Sequence, residues 1–131
     1  MKRILLAIFT MLVSAQAFAL SLGQIQVSSG LNERFEAVVP LTASNAAEIF
    51  SLQVTLASNA DHARRHIALS SALSKLHITV INDPKAPYLR LSTPNVIREP
   101  ALKFILDASW KSGRVLRSYS VLLNLRNTHL R

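Results

Sequence analysis

The sequence predicts an all-β fold, an immunoglobulin-like two-layer sandwich of about seven strands with one short helix, and three observations carry that expectation. Polar and apolar residues alternate with period two in several stretches, cleanly in Ser51-Leu52-Gln53-Val54-Thr55-Leu56 and Leu76-His77-Ile78-Thr79-Val80. That pattern suits a strand with one face in a core and the other in water. Turn-forming residues separate these stretches at short intervals. No internal repeat, low-complexity tract or linker interrupts the chain, so one domain over residues 20–131 is expected. A small barrel is the second architecture such a pattern allows.

Before the first strand, Met1-Lys2-Arg3 places positive charge ahead of an apolar run from Ile4 to Val13, and small residues follow. This three-part pattern predicts a secretory signal peptide over 1–19, with Ala17 and Ala19 satisfying the small-x-small rule and cleavage between Ala19 and Leu20. Ala15 and Ala17 form the fallback pair. A run of ten residues, nine of them apolar, is too short to span a bilayer core of about 30 Å. Of about 65 residues in the apolar set, 14 fall in this segment. Its removal leaves 112 residues at net +6, with 13 Lys and Arg against 7 Asp and Glu. No later stretch approaches 18 uninterrupted apolar residues, so the mature chain is expected in the periplasm without a membrane span. Cysteine is absent, which excludes disulfides, thiolate catalysis, Cys-based metal sites and lipid attachment at an N-terminal Cys.

Along the mature chain, Gln24 to Val27 alternates, and Arg34 to Leu41 does so loosely around a β-branched centre. Asn45-Ala46-Ala47-Glu48 predicts a single helical turn before the strand 51–56. Ser58-Asn59-Ala60-Asp61 places a hydroxyl three residues ahead of a carboxylate, the capping arrangement of a short helix to about His66. Ser70-Ser71-Ala72-Leu73 predicts another turn before the strand 76–80. The two prolines of Asn82-Asp83-Pro84-Lys85-Ala86-Pro87 set a turn ahead of Tyr88-Leu89-Arg90-Leu91-Ser92. Pro94 and Pro100 are then expected to bound a connector, since proline cannot donate to a central ladder.

The closing hairpin is expected to flank Ser112-Gly113, with Gly113 at positive φ. That turn pairs residues whose numbers sum to 225 and sets Leu102, Phe104, Leu106 and Trp110 on one face with Val115, Tyr119, Val121 and Leu123. Lys103, Asp107, Ser109, Ser118 and Ser120 take the other face.

The chain offers little for catalysis. Seven acids are scattered singly through the mature domain, and neither a Gly-x-Ser-x-Gly elbow, a phosphate-cradling glycine loop nor a His-Glu-x-x-His motif is present. A non-enzymatic protein without a cofactor or a metal is expected. The alternative ligand pair is His62 and His66, four apart on the short helix, but neither His77 nor His129 has the spacing of a third ligand. Nucleic acid is not an expected partner, because export removes it from reach and aromatics are not interleaved with the cations. Phe104, Trp110 and Tyr119 share the core face of the hairpin, which favours packing over a sugar-stacking stripe.

Two stretches together resemble a known family. Leu22-Gly23-Gln24-Ile25-Gln26-Val27-Ser28-Ser29-Gly30-Leu31-Asn32 with Ala37-Val38-Val39-Pro40-Leu41 is similar to the opening of the N-terminal periplasmic domain of FimV/HubP proteins. Arg98-Glu99-Pro100-Ala101-Leu102-Lys103-Phe104-Ile105-Leu106 with Trp110 to Leu123 resembles that domain's closing hairpin, and Leu56-Ala57-Ser58 is similar as well. The resemblance covers about residues 20–124. It implies a protein-interaction or scaffold module of type IV pilus assembly and cell-pole organisation, without catalytic residues. Envelope or pilus-assembly proteins are the partners it implies. The basic excess separately makes peptidoglycan, an anionic polymer met outside the cytoplasm, a further candidate partner. Typical members continue into a LysM module, a membrane span and an acidic cytoplasmic region, and none of these is expected within residues 20–131. The alternatives to a separate module are a truncated family remnant and a small metal-binding secreted protein using His62 and His66.

Overall fold

The computed structural model describes residues 20–43 and 45–125. The expected signal peptide with Ala19, and His129, lie outside the described residues. In chain order the strands are β1 (Ser21–Leu22), β2 (Gln26–Val27), β3 (Glu33–Thr42), β4 (Gln53–Leu56), β5 (His77–Ile81), β6 (Tyr88–Ile97), β7 (Ala101–Trp110) and β8 (Gly113–Leu122). Helix α1 (Ala46–Ser51) precedes β4, and α2 (Asn59–Arg64) and a 3-10 turn at Ser71–Leu73 precede β5. One sheet has β3, β6 and β5 side by side, with both β1 and β2 on the outer edge of β3; the other has the order β4-β7-β8. All pairs are antiparallel. This is the expected all-β sandwich.

Alternation sends Phe35, Val39, Leu89 and Leu91 from one sheet against Leu102, Phe104, Leu106 and Ala108 from the other, all fully buried. Phe35 meets Phe104 edge-on, with centroids 6.5 Å apart, and Phe104 stacks on Tyr119 at 5.7 Å. Trp110 packs against the margin of the core. Burial of each such large apolar side chain contributes about 1.5–3 kcal/mol, so these aromatics serve cohesion.

The short helical segments form where their caps predict. Asn45 Oδ1 accepts from Glu48 N–H at 3.1 Å, and Ser58 Oγ accepts from Asp61 N–H at 3.0 Å. Both side chains satisfy helix-start donors that have no partner within the helix. Among the described residues, no helix is long and apolar enough to cross a membrane.

Three local expectations are corrected. The first strand is not continuous from Gln24 to Val27: β1 and β2 are two-residue pieces separated at Gly23–Ile25, and β1 brings buried Leu22 opposite Leu41. Nor does the chain leave the sheet at Pro94, since β6 runs on to Ile97. Its pairing with β3 shifts from Glu36↔Ser92 to Arg34↔Val96, leaving Thr93, Pro94 and Asn95 opposite Phe35 alone. In this bulge the buried Thr93 hydroxyl accepts from Phe35 N–H at 3.0 Å and donates to Asn95 O at 2.9 Å. A side chain thus replaces a missing ladder partner, and β5 ends its pairing at Ser92, so Pro94 deprives no neighbour of a bond.

The hairpin register is the third. β7 and β8 pair with numbers summing to 223, as in Phe104↔Tyr119 and Trp110↔Gly113. The turn is Lys111–Ser112, and no glycine has positive φ. Gly113 instead makes room for a neighbour: a Cβ there would lie 2.9 Å from the Trp110 ring, which would have to shift. A displacement of two residues preserves which side chains face the core, so the face assignment survives the corrected register.

Candidate functional site: an open strand edge

The histidine pair is separated by the fold. Residue 62 lies in α2, whereas His66 lies beyond its end at φ 57°. There Ile67 N–H donates to His62 O and His66 N–H to Ala63 O, the paired bonds that close a helix through a left-handed residue. His66 is exposed, whereas His62 is 3% exposed. Both nitrogens of His62 are engaged, Nδ1 with Ser58 O at 2.9 Å and Nε2 with Ile105 N–H at 3.1 Å. Because Nε2 accepts, Nδ1 carries the proton in this arrangement. The shared ligand face is therefore corrected: one ring completes a sheet and the other sits on a helix terminus. Among the described residues, no group of three or more His, Cys, Asp or Glu side chains could hold a metal ion.

The role of His62 follows from the ladder. β4 pairs with β7 as far as Leu56↔Leu106, and Ala57 N–H continues to Ile105 O at 2.9 Å. The imidazole then takes the Ile105 N–H, and Ile105, placed by alternation on the outer face, is fully buried. An ionic bracket flanks this seam: Arg64 pairs with Asp61, and Arg114 pairs with Asp107 at 2.8 Å and reaches Asp61 at 3.8 Å. Burial works to raise the Asp61 carboxyl. The Ser58 and Arg64 hydrogen bonds and the Arg64 and Arg114 charges outweigh it and hold the group below its ordinary value.

The opposite border of the same sheet has no such closure. β8 is ten residues long, pairs among the described residues with β7 alone, and shows an unbroken register from Gly113 to Leu122. Leu123 N–H donates to Pro100 O at 2.7 Å. With the antiparallel alternation, odd-numbered residues of β8 therefore bond to β7, and Arg114, Leu116, Ser118, Ser120 and Leu122 direct their main-chain groups outward. Ser118 and Ser120 are exposed, and Leu122 is 78% exposed.

Beside this edge runs a groove of about 300 Å³, lined by Gln24, Ile25, Arg117, Ser118, Tyr119 and Ser120. Its far wall is held by β8 itself. Arg117 donates to Leu22 O, and Tyr119 Oη donates to Gly23 O at 2.9 Å. The Arg117 guanidinium lies over the Tyr119 ring at 5.1 Å from its centroid. Burial pushes the Tyr119 phenol above its ordinary value, and the Arg117 charge opposes that shift. Chemically, the site offers a row of outward main-chain donors and acceptors beside one cation, Arg117.

A family match covers this architecture: residues 20–126 match the FimV N-terminal domain Ig-like domain. The chain belongs to the FimV N-terminal domain family. Similar curated proteins include the motility hub protein FimV of Pseudomonas aeruginosa strains PAO1 and UCBPP-PA14. Each is 28% identical to it over 120 residues, which is 91% of this chain and 13% of the relative. The chain therefore spans about an eighth of the length of these FimV proteins. No solved structure matches. The FimV resemblance and the immunoglobulin-like sandwich read from the sequence are thus both established. The open β8 edge of this FimV domain was not legible there, because edge position depends on which strands fail to pair.

Proposed function

We propose that this FimV-type domain acts in the periplasm as a non-enzymatic protein-interaction or scaffold module that assists type IV pilus or envelope assembly. The observation that carries the reading is the ten-residue β8 edge. Long exposed edges are usually blunted by proline, bulges or projecting charges, because a bare edge adds foreign strands. β8 has no proline and no register shift, and its two arginines are drawn back onto Asp107, Asp61, Leu22 O and the Tyr119 ring. Strand addition is an established mode of polypeptide recognition. The hub role that the P. aeruginosa proteins carry in their name supports the same direction. The start of the family match at Leu20 agrees with export and cleavage after Ala19.

The test uses the full-length gene in its own host. Periplasmic extracts should contain a chain whose N-terminal residue is Leu20, read by intact mass. Deletion should lower twitching motility or surface pilus number, and restoration should recover it. A full-length product confined to the cytoplasm, or unchanged motility, pilus number and envelope integrity after deletion, would overturn the proposal.

A further inference from the structure

We infer that the segment received by the β8 edge is an extended acidic stretch of a partner protein, added as a strand and held through a carboxylate against Arg117. This deepens the interaction-module reading and rests on it. The outward main-chain groups of Leu116, Ser118 and Ser120 supply a ladder that any extended backbone can use, so they give affinity without selecting a sequence. Selection must come from side chains, and of the residues lining the groove, Gln24, Ile25, Arg117, Ser118, Tyr119 and Ser120, Arg117 alone is charged. β8 itself carries two cations, Arg114 and Arg117, and no acid. Of these two, Arg114 is neutralised by Asp107 and Asp61. Arg117 instead rests on neutral groups, the Leu22 carbonyl and the Tyr119 ring, and it lines the groove beside the edge. An incoming strand alternates its side chains, so every second one falls on the groove side, where a carboxylate meets the guanidinium. The side chains of Ser118 and Ser120, which alternate with Arg117 and Tyr119 along β8, are small and exposed and do not obstruct approach to the edge.

A second copy of this chain is the natural competitor, and charge argues against it. Two β8 edges paired about Ser118 would bring Arg117 of both copies into one interface whose strands contain no acid.

The experiment places a photo-crosslinking residue at Ser118 in the full chain, expressed in its own host, with control probes at Phe50 and Arg90. Phe50 is 76% exposed on α1, and Arg90 is exposed on the other sheet. Crosslinked peptides are mapped by mass spectrometry. The inference expects a net-acidic segment of another protein at Ser118, with the yield falling about tenfold in Arg117→Glu. Arg117→Gln, which keeps an amide donor for Leu22 O, should lose most of the same yield, and an unchanged melting temperature shows that the fold persists.

A self-crosslink at Ser118, or a captured segment that is neutral or basic and indifferent to Arg117→Gln, overturns the inference while leaving an interaction module in place. Capture at Phe50 or Arg90 with none at Ser118 removes the edge as the site. Capture at none of the three positions counts against the module reading itself.

Discussion

His62→Ala tests whether an imidazole completes the second sheet. The substitution removes the acceptor of Ile105 N–H, a buried donor whose ladder partner beyond Leu56 is this ring. Leaving such a donor unsatisfied costs about 1–3 kcal/mol, and the space vacated by a ring 3% exposed adds a cavity cost. Together the expected loss is about 2–4 kcal/mol, which in a domain of this size lowers the melting temperature by roughly 8–16 °C. His62→Gln reaches a similar position with Oε1 and should recover about half of that loss, since it restores the acceptor but not the full ring. Urea unfolding measures the global effect. Amide exchange measures the local one, with Ile105 exchanging at least about tenfold faster than its β7 neighbours beyond any common loss. A loss below about 0.5 kcal/mol, within the range of ordinary surface changes, would refute the argument. So would an Ile105 amide as protected as before. In the parent protein, with both His62 and His66 in place, zinc at micromolar concentration should give no binding heat.

Three further outcomes follow from the geometry. Thr93→Val keeps the shape of the side chain but orphans the buried Phe35 N–H, so chemical denaturation should show a loss of about 1–3 kcal/mol. His66→Gly relieves a left-handed non-glycine residue at an exposed helix terminus and should stabilise by about 0.5–1 kcal/mol in the same assay. Tyr119 has a folded-state pKa raised above its unfolded value near 10.0, so its contribution is complete below that pH and is lost as pH rises through the folded value. Unfolding free energies measured from pH 8 to pH 12 should therefore fall more steeply in the parent protein than in Tyr119→Phe. Equal slopes would count against the assigned cause.

The β7–β8 hairpin shows how far patterning reaches. Leu102, Phe104, Tyr119 and Val121 could be assigned to one face because alternation depends only on neighbours along the chain. The register could not, because displacement by two residues leaves every face unchanged. The two are told apart only by the observed pairing, which sets Trp110 opposite Gly113 across the Lys111–Ser112 turn. Pro94 misled for a related reason. Its missing N–H excludes a regular ladder, but Thr93, buried in the fold, substitutes a hydroxyl at the bulge and lets β6 continue. His62 and His66 show the limit for sites: four-residue spacing places two rings on one face only while the helix lasts, and α2 ends at Arg64.

By itself the sequence determined the sandwich class, the core faces, the helix caps and the family, since each is written in local alternation, capping residues or contiguous motif. The tertiary structure alone decided that His62 closes one border of the β4-β7-β8 sheet and that the other border, along β8, stays open beside Arg117. Pairing between strands distant in sequence is set by how the sheets pack, so an open edge becomes visible only once every other strand has found its neighbour.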